Sequence, residues 1–139
     1  MLSRFFTIFF LVFMGSFGSA MGNSFVYVAN RLDGTVSKVD VVTQSVVATI
    51  PVGVEPFQIT SDAQKVYVSD RQSPFLYMID IKTNIVESIN ISINGLGANA
   101  LGIALSPNHK KAYVVDGAGN GIIVVDLVTR AVQDTVLLE

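Results

Sequence analysis

His109 is the single histidine among 139 residues. It sits in a Ser106-Pro107-Asn108-His109-Lys110 turn signal, where an isolated imidazole is expected to be solvated. The chain has no Cys, so a transition-metal site would need several carboxylates converging, and no spacing of Asp and Glu suggests that. Ser61, Ser69 and Ser106 have no histidine placed to activate them, which leaves a nucleophilic triad unsupported. Gly117-Ala118-Gly119-Asn120-Gly121 has the composition of a phosphate loop, but such a loop must run from a strand into a helix. Here a strand-like segment follows, so a hairpin turn is expected. Asp40, Asp80 and Asp126 are the most regularly placed acids, each thirteen residues after a tyrosine. That regularity puts one on each structural unit, at equivalent outer turns, and excludes a paired-carboxylate site. The sequence therefore nominates no catalytic, cofactor-binding or metal-binding residue, and no cofactor.

The elements that carry these residues are repeats. Tyr27, Tyr67 and Tyr113 are each followed by Val, then by Asp at the thirteenth residue, Thr three further on (Thr43, Thr83, Thr129) and Val three beyond that (Val46, Val86, Val132). The copies start 40 and then 46 residues apart, within the range of propeller and solenoid repeats. Asp-x-x-Thr at a strand end is a turn-closing device, because the carboxylate accepts backbone N–H groups just downstream. The tyrosine, apolar with one polar tip, suits the seam between units, and the valine should face the core.

Within a unit the pattern predicts four short strands. In the first these are 25–29, 35–39, 45–50 and 57–60, joined by Asp33-Gly34, a strong hairpin signal, by Asp40 to Gln44, and by a crossing through Gly53 and Pro56. The second unit predicts strands at 66–68, 76–79, 85–91 and 101–105, and the third at 112–115, 122–125 and 131–138. No stretch keeps a helical period for three turns. Four short strands per unit describe a propeller blade.

The amino end reads differently. Arg4 precedes an apolar run of ten residues, Phe5 to Met14, and small residues follow to Ala20. This predicts a secretory signal peptide over 1–20, cleaved after Ala20. The run falls short of the roughly 20 residues of a membrane span, although an uncleaved amino-terminal anchor is the alternative. Without residues 1–20, which contain Arg4 as their only charge, 8 Lys and Arg face 11 Asp and Glu, a net charge of −3. That mild acidity, with no basic stripe, argues against a nucleic-acid partner. An exported chain without Cys must depend on packing and strand ladders for stability.

Tyr27-Val28-Ala29-Asn30, Gly34-Thr35-Val36-Ser37, Val39-Asp40, Thr43, Val47 to Pro51-Val52-Gly53, and Pro56 resemble the forty-residue YVTN β-propeller repeat. The resemblance extends over 25–139, with repeats at about 25–65, 66–111 and 112–139. The second copy departs at Ser69-Asp70, at Pro74 and in its Gly/Asn-rich crossing, and the third reads Asp116-Gly117 where Asn would follow. The resemblance implies an all-β, partial β-propeller over 21–139, opening on the second strand of a blade and holding eleven strands. It further implies a periplasmic or secreted binding or scaffold module, not an enzyme, that is a truncated piece of a longer propeller. Its partner would be a protein or surface ligand, and further blades or a partner chain would close it. A fragment of an exported propeller enzyme, lactonase-like or quinone- and haem-linked, is the alternative, as is a cell-surface antigen or layer component. An enzyme should cluster His or acidic residues in the loops flanking the innermost strands, where only Glu55, Asp62 and His109 stand.

Overall fold

A computed structural model describes residues 8–14, by backbone pairing alone, and residues 24–138. The described residues form an all-β arc of three antiparallel four-stranded blades. Blade 1 contains β1 (Ile8–Met14), β2 (Phe25–Asn30), β3 (Thr35–Asp40) and β4 (Ser45–Pro51). Blade 2 contains β5 (Pro56–Ser61), β6 (Lys65–Asp70), β7 (Phe75–Asp80) and β8 (Val86–Asn90). Blade 3 contains β9 (Ala100–Leu105), β10 (Lys111–Asp116), β11 (Gly121–Asp126) and β12 (Ala131–Leu137). Each blade is an up-and-down meander whose spatial order equals its sequence order.

The eleven-strand expectation is corrected to twelve. Ile8–Met14 pairs antiparallel with β2, from Ile8 opposite Asn30 to Met14 opposite Phe25, and supplies the innermost strand of blade 1. A short run rich in Phe, Ile and Val satisfies the composition of a leader core and of a buried strand alike. The remainder of the expected signal peptide, including Ala20, lies outside the described residues.

The Asp-x-x-Thr device operates in all three blades. Oδ1 of Asp40 accepts from Val42 N and Thr43 N at 2.8 and 2.9 Å. Asp80 does the same with Lys82 and Thr83, and Asp126 with Val128 and Thr129. The residue after each Thr turns left-handed, with φ of 53° at Gln44, 60° at Asn84 and 60° at Arg130. The N–H groups of Thr129 and Val128 hold the Asp126 carboxyl below the usual carboxylate range.

The two faces of each blade follow from strand alternation. Tyr27, Ala29 and Val36 of blade 1 pack with Ile59, Val66, Val68 and Ile79 of blade 2 in one core. Tyr67, Leu76 and Met78 of blade 2 pack with Ile103, Ala112, Val114 and Val125 of blade 3 in the second. Tyr27 is 0% exposed and Tyr67 4% exposed, whereas Tyr113, at the same position of blade 3, is 40% exposed. The core position expected for the valines is likewise reached by two of three. Val86 and Val132 are partly buried in the seams, but Val46 is 58% exposed. Val46 pairs with Val39, on the face of blade 1 turned away from blade 2.

Polar links also cross the seams. Ile103 N of β9 donates to Gln58 Oε1 of β5 at 3.0 Å, and Ser69 Oγ donates to Leu101 O at 3.1 Å. Lys38, on β3, reaches across to Ile81 O at 2.7 Å and Asn84 Oδ1 at 3.2 Å, with its ammonium 4.2 Å from the Phe25 ring centroid. Burial pulls this ammonium below its usual range, although the Asp80 charge acts the other way.

Candidate functional site

The meander sorts the loops into two ends. The β2–β3, β6–β7 and β10–β11 turns share the crossing end with the two blade-to-blade segments. The β3–β4, β5–β6, β7–β8, β9–β10 and β11–β12 turns share the opposite, turn end. Of the three loop residues singled out in the sequence, Glu55 lies at the crossing end, while Asp62 and His109 lie together at the turn end.

Asp62 and His109 line a cleft of about 200 Å³ between blades 2 and 3, with Lys65, Tyr67, Met78 and Arg130. Asp62 is committed within it. Its Oδ1 accepts from Gln64 N and Lys65 N at 2.7 and 2.8 Å, and its Oδ2 accepts from Tyr67 Oη at 2.8 Å. Burial, and then the bond to Asp62, pushes the Tyr67 phenol far above its usual range. Lys65 and Arg130 both grip Glu87, at 2.6 and 2.8 Å, which holds that carboxyl below its usual range. The cleft is smaller than the roughly 300 Å³ at which small-molecule pockets begin. Lys65 and Arg130 are spent on Glu87, and Asp62 on backbone and Tyr67.

At the crossing end two buried carboxylates dominate, and both occupy the repeat position that Asn30 holds in blade 1. Asp70 Oδ2 accepts from Val54 N and Glu55 N at 2.7 and 3.1 Å, and its Oδ1 accepts from Gln72 N at 2.8 Å. Asp116 Oδ2 accepts from Gly97 N and Asn99 N at 2.7 and 3.2 Å, while its Oδ1 takes Ala118 N at 2.9 Å and Gly119 N. Each acid therefore ties the incoming crossing segment to its own hairpin turn. Burial pushes the Asp116 carboxyl up, but its four N–H donors outweigh burial and hold it below the usual range. The Gly117–Gly121 segment is the expected hairpin turn between β10 and β11. The amides that a phosphate loop would offer to an anion are given to Asp116.

Asn30 occupies the corresponding place in blade 1 and donates through Nδ2 to Thr35 Oγ1 and Ser37 Oγ at 2.9 and 2.8 Å. Beside it, Arg31 pairs with Glu55, whose other oxygen accepts from Gln72 Nε2 at 3.1 Å. The guanidiniums of Arg31 and Arg71 lie 5.8 and 5.5 Å from the Phe57 ring centroid, within cation–π reach. Arg71 Nε also approaches Asn99 Oδ1 at 3.5 Å. Arg31, Glu55, Phe57, Arg71 and Asn99 thus form one charged and aromatic surface beside the start of an innermost strand. Sequence reasoning isolated Glu55 from this group and missed the other four: Phe57 lies on β5, and Arg31, Arg71 and Asn99 occupy loops of unequal length.

Ser69 is buried and bonded to strand backbone, and Ser106 Oγ donates to Asn108 Oδ1 at 2.8 Å. Among the described residues no three His, Cys, Asp or Glu side chains gather as a metal site, and no helix is long and apolar enough to cross a membrane.

Neither a protein-family profile nor any curated protein sequence matches the chain. Solved structures do. Hydrazine synthase of Kuenenia stuttgartiensis superposes with a TM-score of 0.71 at 23% identity, over 87% of this chain and 39% of that one. The dihydro-heme d1 dehydrogenase NirN, in complex with DHE, superposes with a TM-score of 0.74 at 14% identity, over 91% of this chain and 27% of that one. The chain thus spans well under half the length of either protein. At such identities the likeness is one of fold, and the three-bladed arc is a partial β-propeller.

Proposed function

We propose that this chain is a YVTN-type propeller unit working outside the cytoplasm as a non-catalytic binding module, with its binding surface at the crossing end. The observation that carries this reading is how the polar groups are used. Asp62, Asp70 and Asp116 each hold backbone or a tyrosine hydroxyl, which supports a scaffold role for the best-placed acids. Arg71, beside Phe57, carries no carboxylate partner among the described ion pairs. A cation next to an aromatic ring can engage a protein or surface ligand by charge and stacking together. Export rests on the leader-like composition of residues 1–20, and membership of the repeat family on the quoted motifs.

The similarity to a synthase and a dehydrogenase favours one second reading, a portion of an exported propeller enzyme. One experiment separates the two. The purified full chain is assayed for lactone and ester hydrolysis and for dye-linked alcohol oxidation. Turnover that disappears in Asp62→Ala or His109→Ala would overturn the binding-module reading. No turnover, together with export of a reporter fused behind residues 1–24, is the expected outcome.

A further inference from the structure

The repeat spacing identifies two mating faces. The leading face of a blade consists of Tyr27, Ala29, Val36 and Lys38 in blade 1, and of Tyr67, Ser69, Leu76 and Met78 in blade 2. The receiving face consists of Val66, Val68, Ile79 and Val86 in blade 2, and of Ala112, Val114, Val125 and Val132 in blade 3. Each internal seam joins one leading face to one receiving face. Applying the same offsets leaves one face of each kind without a described blade against it. The leading face of blade 3 is Tyr113, Val115, Ile122 and Val124, and Tyr113 and Val115 are 40% and 39% exposed. The receiving face of blade 1 is Val26, Val28, Val39 and Val46, half-buried or exposed.

We propose that these two faces mate between two copies of the chain, head to tail, giving a six-bladed ring with a two-fold axis. The occupant is fixed by complementarity. The Tyr113 face is built like the two faces that already accept aliphatic receiving sides, and this chain carries one such side unfilled. Both contacts repeat a seam present twice in the molecule. A heterologous contact closes into a ring only when its rotation fits, and six blades lie inside the roughly 4–8 for which propellers close.

The test is the solution mass of the full chain by light scattering, for the wild type and for Tyr113→Glu and Val28→Glu, each checked for retained β-sheet by circular dichroism. The wild type is expected at twice the 14.9 kDa of one chain, and each variant alone at the monomer mass. Mixing the two variants must restore a dimer, because Tyr113 of one variant then meets Val28 of the other across one intact seam. A monomeric wild type, as for a chain whose missing blades come from elsewhere, overturns the proposal. So does a Val28→Glu chain that stays dimeric through Tyr113 faces meeting each other, or a mixture that stays monomeric. If Val28→Glu loses its sheet signal, Val46→Glu takes its place, since Val46 is exposed on the same face.

Discussion

Replacing Asp116 with Ala should be the most damaging single change at the crossing end. The carboxylate is 1% exposed and accepts from four backbone N–H groups. A buried donor left without an acceptor costs about 1–3 kcal/mol. Gly97 N has no route to water, whereas the other three donors are partly exposed and recover some hydration. The loss should therefore total about 3–4 kcal/mol, a large share of the roughly 5–15 kcal/mol that stabilises a typical domain. With a urea slope of about 1–3 kcal/mol/M, the unfolding midpoint should drop by about 2 M. Asp116→Asn should not rescue it, since the amide keeps one acceptor oxygen and turns an NH2 group toward the remaining donors. The assay is urea unfolding of the full chain followed by circular dichroism, with Asp126→Ala as the comparison. The Asp126 turn is exposed, and its carboxylate holds two N–H groups that water can serve. A drop for Asp116→Ala no larger than that for Asp126→Ala would refute the reasoning.

Further outcomes follow from the same geometry. Gly53 has φ of 58°, and a Cβ there would lie 2.0 Å from Asp70 Oδ2, so Gly53→Ala should destabilise the chain by more than about 1 kcal/mol, measured by thermal melting. Gln44 is exposed and left-handed, so Gln44→Gly should raise the melting temperature by relieving about 1 kcal/mol of backbone strain. Tyr27 Oη is buried with no hydrogen-bond partner among the described residues, so Tyr27→Phe should be neutral or stabilising. Tyr67→Phe loses the bond to Asp62 and should cost about 1 kcal/mol, which paired urea titrations would compare. Burial, reinforced by the Asp80 charge, pushes the Tyr27 phenol from 10.0 up to about 12. Its stabilising contribution is thus full below pH 10 and lost as the pH rises through 12. Absorbance at the phenolate band, followed beside circular dichroism, should show Tyr27 ionising only as the sheet signal falls.

The blades were legible because their determinants are local. Alternation placed strands near their observed limits from Phe25 onward, and Asp40, Asp80 and Asp126 announced their turns because a carboxylate bonding two and three residues ahead needs nothing from the rest of the chain. β1 was not legible as a strand, since Phe5 to Met14 fits a leader core equally well and pairing with Asn30 is a long-range event. Asp70 and Asp116 looked like lapses from a motif because their partners, at Val54 and Gly97, lie 16 and 19 residues away. The exposure of Val46 against the partial burial of Val86 has the same origin, because identical repeat positions diverge only when a neighbouring blade is present or absent. Asp62 and His109 could be brought together only once the direction of each strand assigned its turn to an end.

The Asn30 to Asp116 difference sets an order of opening in acid. Stability in a linear repeat array is approximately a sum of unit and nearest-neighbour contributions, so units need not yield together. Asp116 holds its crossing segment through a carboxylate kept below its usual range. That support is full above the ordinary Asp value of about 3.9 and vanishes as the pH falls through the folded one. Asn30 has no proton to gain over that interval, and its bonds to Thr35 and Ser37 persist. Acid should therefore peel the arc from its carboxyl-terminal blade, and amide hydrogens of 97–119 should exchange before those of 30–37. A chain of similar blades acquires in this way a direction along which it comes apart.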